Sequence, residues 1–317
     1  MKKPRLCLSI GKQDPAFDEM VETLSPFADV TVVGLDGFSL AGYDIFVGKK
    51  LSREALRDAD ALKAVFAYKT GVDDFPLDAF KERGIALYNS HADGKIIAEY
   101  AVSLAVGLAT RICEFDRKLR QGIWYDTDNR YWKSIFTMSV GLLGYGHIGK
   151  GIHAILKQNG IPVYTLDRGK GYKDIGLCKT VEELADTCDI LILSLPKTAA
   201  TDHIVDEALL SRMKGKFIVN VGRSNAIDQE ALYQALVSEH LAGAAIDTWD
   251  AKPKQETDRL MPSRYRFEEL DNVILSPHAA MRVEEGHENY VEDVTENILR
   301  YINGDAPTNG VDLTRGY

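Results

Sequence analysis

The stretch Val140-Gly141-Leu142-Leu143-Gly144-Tyr145-Gly146-His147-Ile148-Gly149, followed at a distance by Thr165-Leu166-Asp167-Arg168, decides the fold. An apolar run ends in Gly-x-Gly-x-x-Gly, an amphipathic stretch follows, and a second apolar run ends in Asp. A dinucleotide-binding βαβ unit needs that order. Gly144 permits the tight turn out of the strand. Gly146, lacking a Cβ, lets backbone approach a pyrophosphate, and Gly149 lets the helix pack close to the sheet. The N–H groups at the helix start then face the phosphates. Asp167 is placed to accept hydrogen bonds from the adenosine ribose hydroxyls. It favours NAD over NADP, because a carboxylate repels a 2′-phosphate, while the neighbouring Arg168 works against that preference.

Working outward toward the C-terminus, the pattern of buried strand and helix continues. Residues 162–166, 189–195, 216–221, 242–246 and 273–275 read as strands. Residues 150–159, 206–212, 228–238 and 282–303 read as helices, and Thr180 with Glu183 forms a capping box at the start of another. The run 189–195 is almost continuously apolar, as in a central parallel strand buried on both faces. Toward the N-terminus, residues 6–10, 29–33, 44–47, 64–67 and 86–88 read as strands. Residues 17–24, 52–58 (capped by Ser52) and 77–83 (stopped by Gly84) read as helices. Strands alternating with helices imply a second parallel sheet. The expected fold class is therefore α/β, with two doubly wound parallel-sheet domains.

Residues 96–115 read as one long helix, apolar around most of its surface, expected to be buried between domains or subunits. A domain boundary falls just before it. The expected division is a substrate domain of residues 1–94 and 283–317 and a dinucleotide domain of 95–282. Residues 122–136, with Trp124, Tyr125, Tyr131 and Trp132, read as a packing arm for a second subunit in preference to a pocket wall. The tail 305–317 reads as loop.

The 317 residues, 45% hydrophobic, leave room for two domains. No run of about 18 apolar residues is present to span a membrane, and residues 6–10 are too short for a signal-peptide core. A net charge of −9 gives no electrostatic footprint for nucleic acid. Cys7, Cys113, Cys178 and Cys188 lack metal-ligand spacing and read as free thiols of a cytoplasmic protein.

Four strand-terminal groups remain: Asp167, Arg223, Asp247 and His278. A parallel sheet aims all four at one crevice. An Arg there pairs with a carboxylate or oxyanion, and a His there passes a proton to or from an oxygen. With a dinucleotide to supply hydride, this is the equipment of an alcohol–ketone oxidoreductase for a carboxylate substrate. In the first domain, Tyr68-Lys69-Thr70-Gly71 directly follows a strand and is the matching loop; Lys69 reads equally well as a solvated lysine.

The chain resembles the D-isomer-specific 2-hydroxyacid dehydrogenases over nearly its full length. The likeness rests on the glycine loop, on Phe217-Ile218-Val219-Asn220-Val221-Gly222-Arg223-Ser224-Asn225-Ala226-Ile227-Asp228, on Gly243-Ala244-Ala245-Ile246-Asp247 and on Leu275-Ser276-Pro277-His278. The resemblance implies two domains with a cleft between them, NAD in the central one, and a homodimer. It implies that Arg223 binds the substrate carboxylate and polarises its C2 oxygen, and that His278 is the acid/base. It places backbone of His147 and Ile148 at the pyrophosphate and Asp247 at the nicotinamide amide. Leu195, Pro196, Thr201, Val221 and Gly222 fall in the cofactor-lining loops, and Lys69, Thr70 and Gly71 in the loop holding the substrate carboxylate.

One departure matters. The family places a Glu five residues after the Asp matching Asp247, where this chain has Lys252. That Glu hydrogen-bonds the catalytic His and raises its pKa. A lysine about 5 Å away repels the imidazolium by roughly 3 kcal/mol, about 2 pKa units, and a neutral His278 suits oxidation better than reduction. Lys252 is accordingly a third candidate catalytic residue. Three explanations stand: Lys252 points away and Asp250 or Glu256 supplies the carboxylate; it binds a further anionic group of the substrate; or a His–Lys pair runs a different reaction. Arg259, Arg264 and Arg266 lie in the long stretch that follows and read as a solvated charged loop rather than a phosphate site. The expected function is NAD-dependent hydride transfer at C2 of a 2-hydroxy or 2-oxo acid. The alternatives are an NAD(H)-sensing regulator on the same fold and an acid-sugar oxidoreductase with altered acid/base chemistry.

Overall fold

The computed structural model describes residues 2–10, 15–124, 131–251, 253, 257–283 and 286–317. The chain forms two compact units, Met1–Asp93 with Val283–Tyr317, and Gly94–Arg282.

The first unit holds a five-stranded, all-parallel sheet in the order β2-β1-β3-β4-β5. Its strands are β1 (Arg5–Ser9), β2 (Asp29–Val33), β3 (Ile45–Val47), β4 (Ala64–Phe66) and β5 (Ala86–Tyr88). Helix α1 (Pro15–Leu24) buries Phe17, Met20 and Leu24, spaced three and four apart on one face. Helix α2 (Leu77–Arg83) ends at Gly84, whose φ of +67° gives the left-handed stop expected from sequence. Residues 52–58 are not the expected helix. Ser52 Oγ does accept from the Ala55 N–H, but Arg57 and Ala59 donate to carbonyls three residues back, so the segment is a run of turns. The tail 305–317 is loop, as expected, but it is tied down. Val311 donates to the Leu87 carbonyl, and Tyr88 and Gly310 form an antiparallel bridge, covering the open edge of β5.

The second unit is a seven-stranded parallel sheet in the order β12-β11-β10-β9-β6-β7-β8. The strands are β6 (Val140–Leu143), β7 (Val163–Leu166), β8 (Gly176–Cys178), β9 (Ile190–Leu193), β10 (Phe217–Asn220), β11 (Gly243–Ile246) and β12 (Val273–Leu275). Strand β8, Gly-Leu-Cys with only Cys178 buried, has no apolar run to mark it in the sequence. The order reverses between β6 and β9, the topological switch point where such sheets bind ligands. Ile190, Ile192 and Val219 enter the core on one face, and Leu191, Leu193 and Ile218 the core on the other. Two-sided burial is why these strands read as unbroken apolar runs.

The long apolar helix is two helices. α3 (Gly94–Ala109) and α4 (Ile112–Arg120) meet at Arg111, whose φ is +57°, and bend by 59°. Thr110 Oγ1 bonds back to the Val106 carbonyl at 2.7 Å, and the Arg111 guanidinium reaches Glu114 at 2.7 Å, so both side chains stabilise the break. The buried side chains of α3 pack inside this unit, against the sheet and against α5 (His147–Gln158). Glycine makes the approach possible: a Cβ on Gly151 would lie 2.7 Å from that of Ala98. Among the described residues no single helix is long and apolar enough to cross a membrane.

Candidate active site

The glycine loop leaves β6 at the switch point. Gly144 has a φ of +108°, and a side chain there would meet the Ser194 carbonyl at 2.9 Å. A Cβ on Gly149 would sit 2.3 Å from the Gly144 carbonyl, so this glycine is needed by the turn itself, while Gly151 provides the close helix contact. Gly146 caps α5 with no side-chain acceptor, and nothing lies within 4 Å of a Cβ built on it. The open space beside Gly146, at the N-terminus of α5 where His147 and Ile148 begin the helix, fits a pyrophosphate. Tyr145 points elsewhere: its hydroxyl lies 2.6 Å from His153 Nδ1 and its ring meets Tyr172 edge-on. Burial lowers the His153 pKa below the ordinary histidine value, so the neutral ring accepts and Tyr145 donates.

Asp167 follows β7 and is exposed, with one carboxylate oxygen accepting from the Gly169 N–H at 2.8 Å. Arg168 beside it is exposed as well. After β9, Leu195 and Pro196 are half-buried. Thr201 Oγ1 donates to the Pro196 carbonyl at 2.7 Å and accepts from the Thr198 N–H at 2.9 Å, which staples this loop. Ser194, not singled out from sequence, donates its hydroxyl to the Gly144 carbonyl at 3.2 Å and ties the two loops of the switch point together.

β10 ends at Asn220, a buried polar residue closing an apolar strand. Its Oδ1 accepts from the Gly222 N–H and its Nδ2 donates to the Arg223 carbonyl, both at 3.0 Å. That pair of bonds shapes the turn Val221-Gly222-Arg223. Gly222 is obligatory, since a Cβ would stand 2.7 Å from the Leu195 nitrogen. Arg223 is half-buried, and its Nη1 donates to the Gly222 carbonyl at 3.1 Å. A polar residue at the end of an apolar strand was the signal that could have singled out Asn220.

β11 and β12 deliver Asp247 and His278. Asp247 is 1% exposed. Its Oδ1 accepts from the Ser276 hydroxyl and, at 2.8 Å, from the Ala279 N–H, and its Oδ2 accepts from the Ala280 N–H at 3.3 Å. The carboxylate thus braces the segment around His278. His278 is exposed and has a φ of +55°, a left-handed conformation costing on the order of 1 kcal/mol. Since β11 alone separates β10 from β12, the segments carrying Arg223 and His278 leave the same edge of the sheet roughly 10 Å apart.

Other candidates divide. In the first unit Lys69 Nζ is paired with Asp74 and lies 5.5 Å from the centre of the Phe75 ring. Thr70 Oγ1 donates to the Ser90 carbonyl at 2.9 Å, and Asn89 Nδ2 holds the Thr70 carbonyl at 2.6 Å, so the Lys69-Thr70-Gly71 loop is fixed from behind. Lys252 and Glu256 lie outside the described residues, as does Tyr125. Arg264 lies against Tyr265 and Arg266 pairs with Glu269, both at the surface. No group of three or more potential metal ligands occurs among the described residues.

A family model described as D-isomer specific 2-hydroxyacid dehydrogenase, NAD binding domain, matches residues 102–280. The chain is 30% identical over 271 residues to the glyoxylate reductase of Korarchaeum cryptofilum, covering 83% of this chain and 80% of that one. It is 28% identical over 271 residues to the D-3-phosphoglycerate dehydrogenase of Escherichia coli, covering 83% of this chain but 64% of the longer enzyme. A crystallised protein of Pyrococcus horikoshii superposes with a TM-score of 0.84 at 26% identity, covering 98% of this chain and 96% of that one.

Proposed function

The chain belongs to the D-isomer-specific 2-hydroxyacid dehydrogenases, and from that premise we propose that it interconverts a 2-hydroxy acid and its 2-oxo acid at the carboxyl edge of the seven-stranded sheet. The cofactor is NAD, bound at the glycine loop, and it supplies or takes the hydride when present. The carrying observation is that a guanidinium and an imidazole leave the same sheet edge two strands apart, on turns that buried polar residues hold in place. In this reading Arg223 binds the substrate carboxylate and stabilises charge on the C2 oxygen. His278 gives a proton to that oxygen in reduction and removes it in oxidation. The Lys69-Thr70-Gly71 loop offers backbone donors to the carboxylate. Asp167 takes the ribose hydroxyls, and Arg168, Leu195, Pro196, Thr201, Val221 and Gly222 line the dinucleotide.

Lys252, at the sequence position where the family has its Glu, enters this proposal as a cation that acts on the acid/base. Lys252→Glu should raise the pH at which reduction fails, because an anion beside His278 keeps the imidazole protonated; an unmoved pH profile removes Lys252 from the scheme. The protein is further proposed to be a cytoplasmic homodimer. Four free thiols support a reducing compartment. Trp124, Tyr131, Trp132 and Phe136 are each more than half exposed on the second unit, which supports an apolar contact with a second copy.

The deciding experiment follows NADH oxidation with a panel of 2-oxo acids, glyoxylate first. Turnover on at least one acid, lost by about a hundredfold or more in Arg223→Ala and in His278→Ala, is the expected result. NADH binding without turnover on any acid would favour a sensor instead.

A further inference from the structure

Helix α3 is a core helix, and most of its inward-facing side chains are Ala, Ile and Leu. Tyr100 is the exception with a consequence. It is half-buried, and its hydroxyl lies 2.8 Å from Ser276 Oγ, 176 residues along the chain. Ser276 is 4% exposed and its hydroxyl hydrogen is committed to Asp247 Oδ1. A serine hydroxyl has one hydrogen, so Tyr100 must be the donor and Ser276 Oγ the acceptor. The result is a directed chain from the Tyr100 hydroxyl through Ser276 Oγ to the Asp247 carboxylate. The same carboxylate receives the Ala279 and Ala280 N–H groups. The backbone of Ser276 is held as well, its N–H on the Ile246 carbonyl at 2.9 Å and its carbonyl under Trp249 Nε1 at 3.0 Å.

His278 lies inside this brace, between the anchored Ser276 and the anchored Ala279. Its φ of +55° is one that an L-residue leaves when its neighbours are released. We propose that Tyr100 is a positioning residue for the acid/base: its hydroxyl, acting through Ser276 and Asp247, keeps the left-handed turn that presents the His278 imidazole. The proposal rests on the reading of His278 as the acid/base. It gives a reason for a half-buried hydroxyl on a helix whose packing a phenylalanine would serve equally well.

The test is a cycle of Tyr100→Phe, Ser276→Ala and the double variant, assayed with NADH and glyoxylate, or the first 2-oxo acid that the wild type reduces. Each single variant should lose about fivefold to tenfold in kcat. KM for the acid and Kd for NADH should stay within about twofold, a split that general loosening of the fold would not produce. The double variant should be no worse than Ser276→Ala alone, because both substitutions cut one chain. Ser276→Ala, which removes a single oxygen, carries the test should Tyr100→Phe fold poorly. Wild-type kcat in both single variants, or losses that multiply in the double, would overturn the positioning role. In the same assay His278→Asn should be inactive. If it is not, the acid/base reading falls and takes the proposal with it, a result separate from the other two.

Discussion

At the scale of single residues, the glycines of the loop divide into those the chain needs and those a ligand needs. Gly149 has a backbone carbonyl 2.3 Å from where a Cβ would go, whereas Gly146 faces open space with a φ of −84°. Gly149→Ala should therefore disrupt the turn, lowering stability by about 1–3 kcal/mol in urea titrations. Gly146→Ala should leave stability within about 0.5 kcal/mol and still weaken NADH binding at least tenfold by fluorescence titration. Equal affinity in Gly146→Ala would show that nothing binds against that residue. His278 follows the same logic in reverse. Its left-handed backbone suits glycine better than histidine, so His278→Gly should unfold at the same urea concentration as the wild type or higher while losing turnover. A marked drop in stability would mean that the imidazole is there for packing.

Among the elements, the link between the glycine loop and the helix after it is sensitive to pH. Burial depresses the His153 pKa, so the fold prefers the neutral ring that accepts from Tyr145. A histidine depressed in the folded state contributes stability that is complete above its ordinary pKa of about 6.5 and is lost as pH falls through the folded value. The urea midpoint should thus drop between about pH 7.5 and 5.5, and drop less in His153→Gln. An identical drop in both proteins would place the titration elsewhere. Element boundaries were legible at Gly84 after α2 and at Asp206, whose carboxylate caps the helix Glu207–Ser211, but the cap signal at Ser52 opens only turns. They failed at residues 110–111, where apolar periodicity runs on through a break that a threonine back-bond and an Arg–Glu pair produce. Neither interaction leaves a mark in a hydropathy pattern.

For the whole molecule, the C-terminal tail and the aromatic surface make separate predictions. Val311 and Leu313 pack on the core of the first unit, and the tail borders β5. Removing residues 310–317 should cost that unit roughly 2–4 kcal/mol and expose a sheet edge to aggregation. Unchanged thermal unfolding would show the tail to be dispensable. Trp132 and Phe136 are 55% and 68% exposed. Trp132→Glu with Phe136→Glu should halve the mass seen in sedimentation if that surface joins two copies, and an unaltered mass would send the interface elsewhere.

What the sequence determined by itself was the succession of buried strands and the chemistry at their tips, because period, apolar length and glycine placement are local properties of the chain. Asp167, Arg223, Asp247 and His278 could be named for this reason, each within three residues of the end of an apolar run. The tertiary structure alone decided what holds those tips. The bond from Tyr100 to Ser276, the brace of Asp247 on residues 279 and 280, and the staple of Ser194 on Gly144 join positions 32 to 176 residues apart. Hydrogen-bond geometry at such separation depends on strand order and on the end of the sheet at which each turn emerges, and no local pattern encodes it.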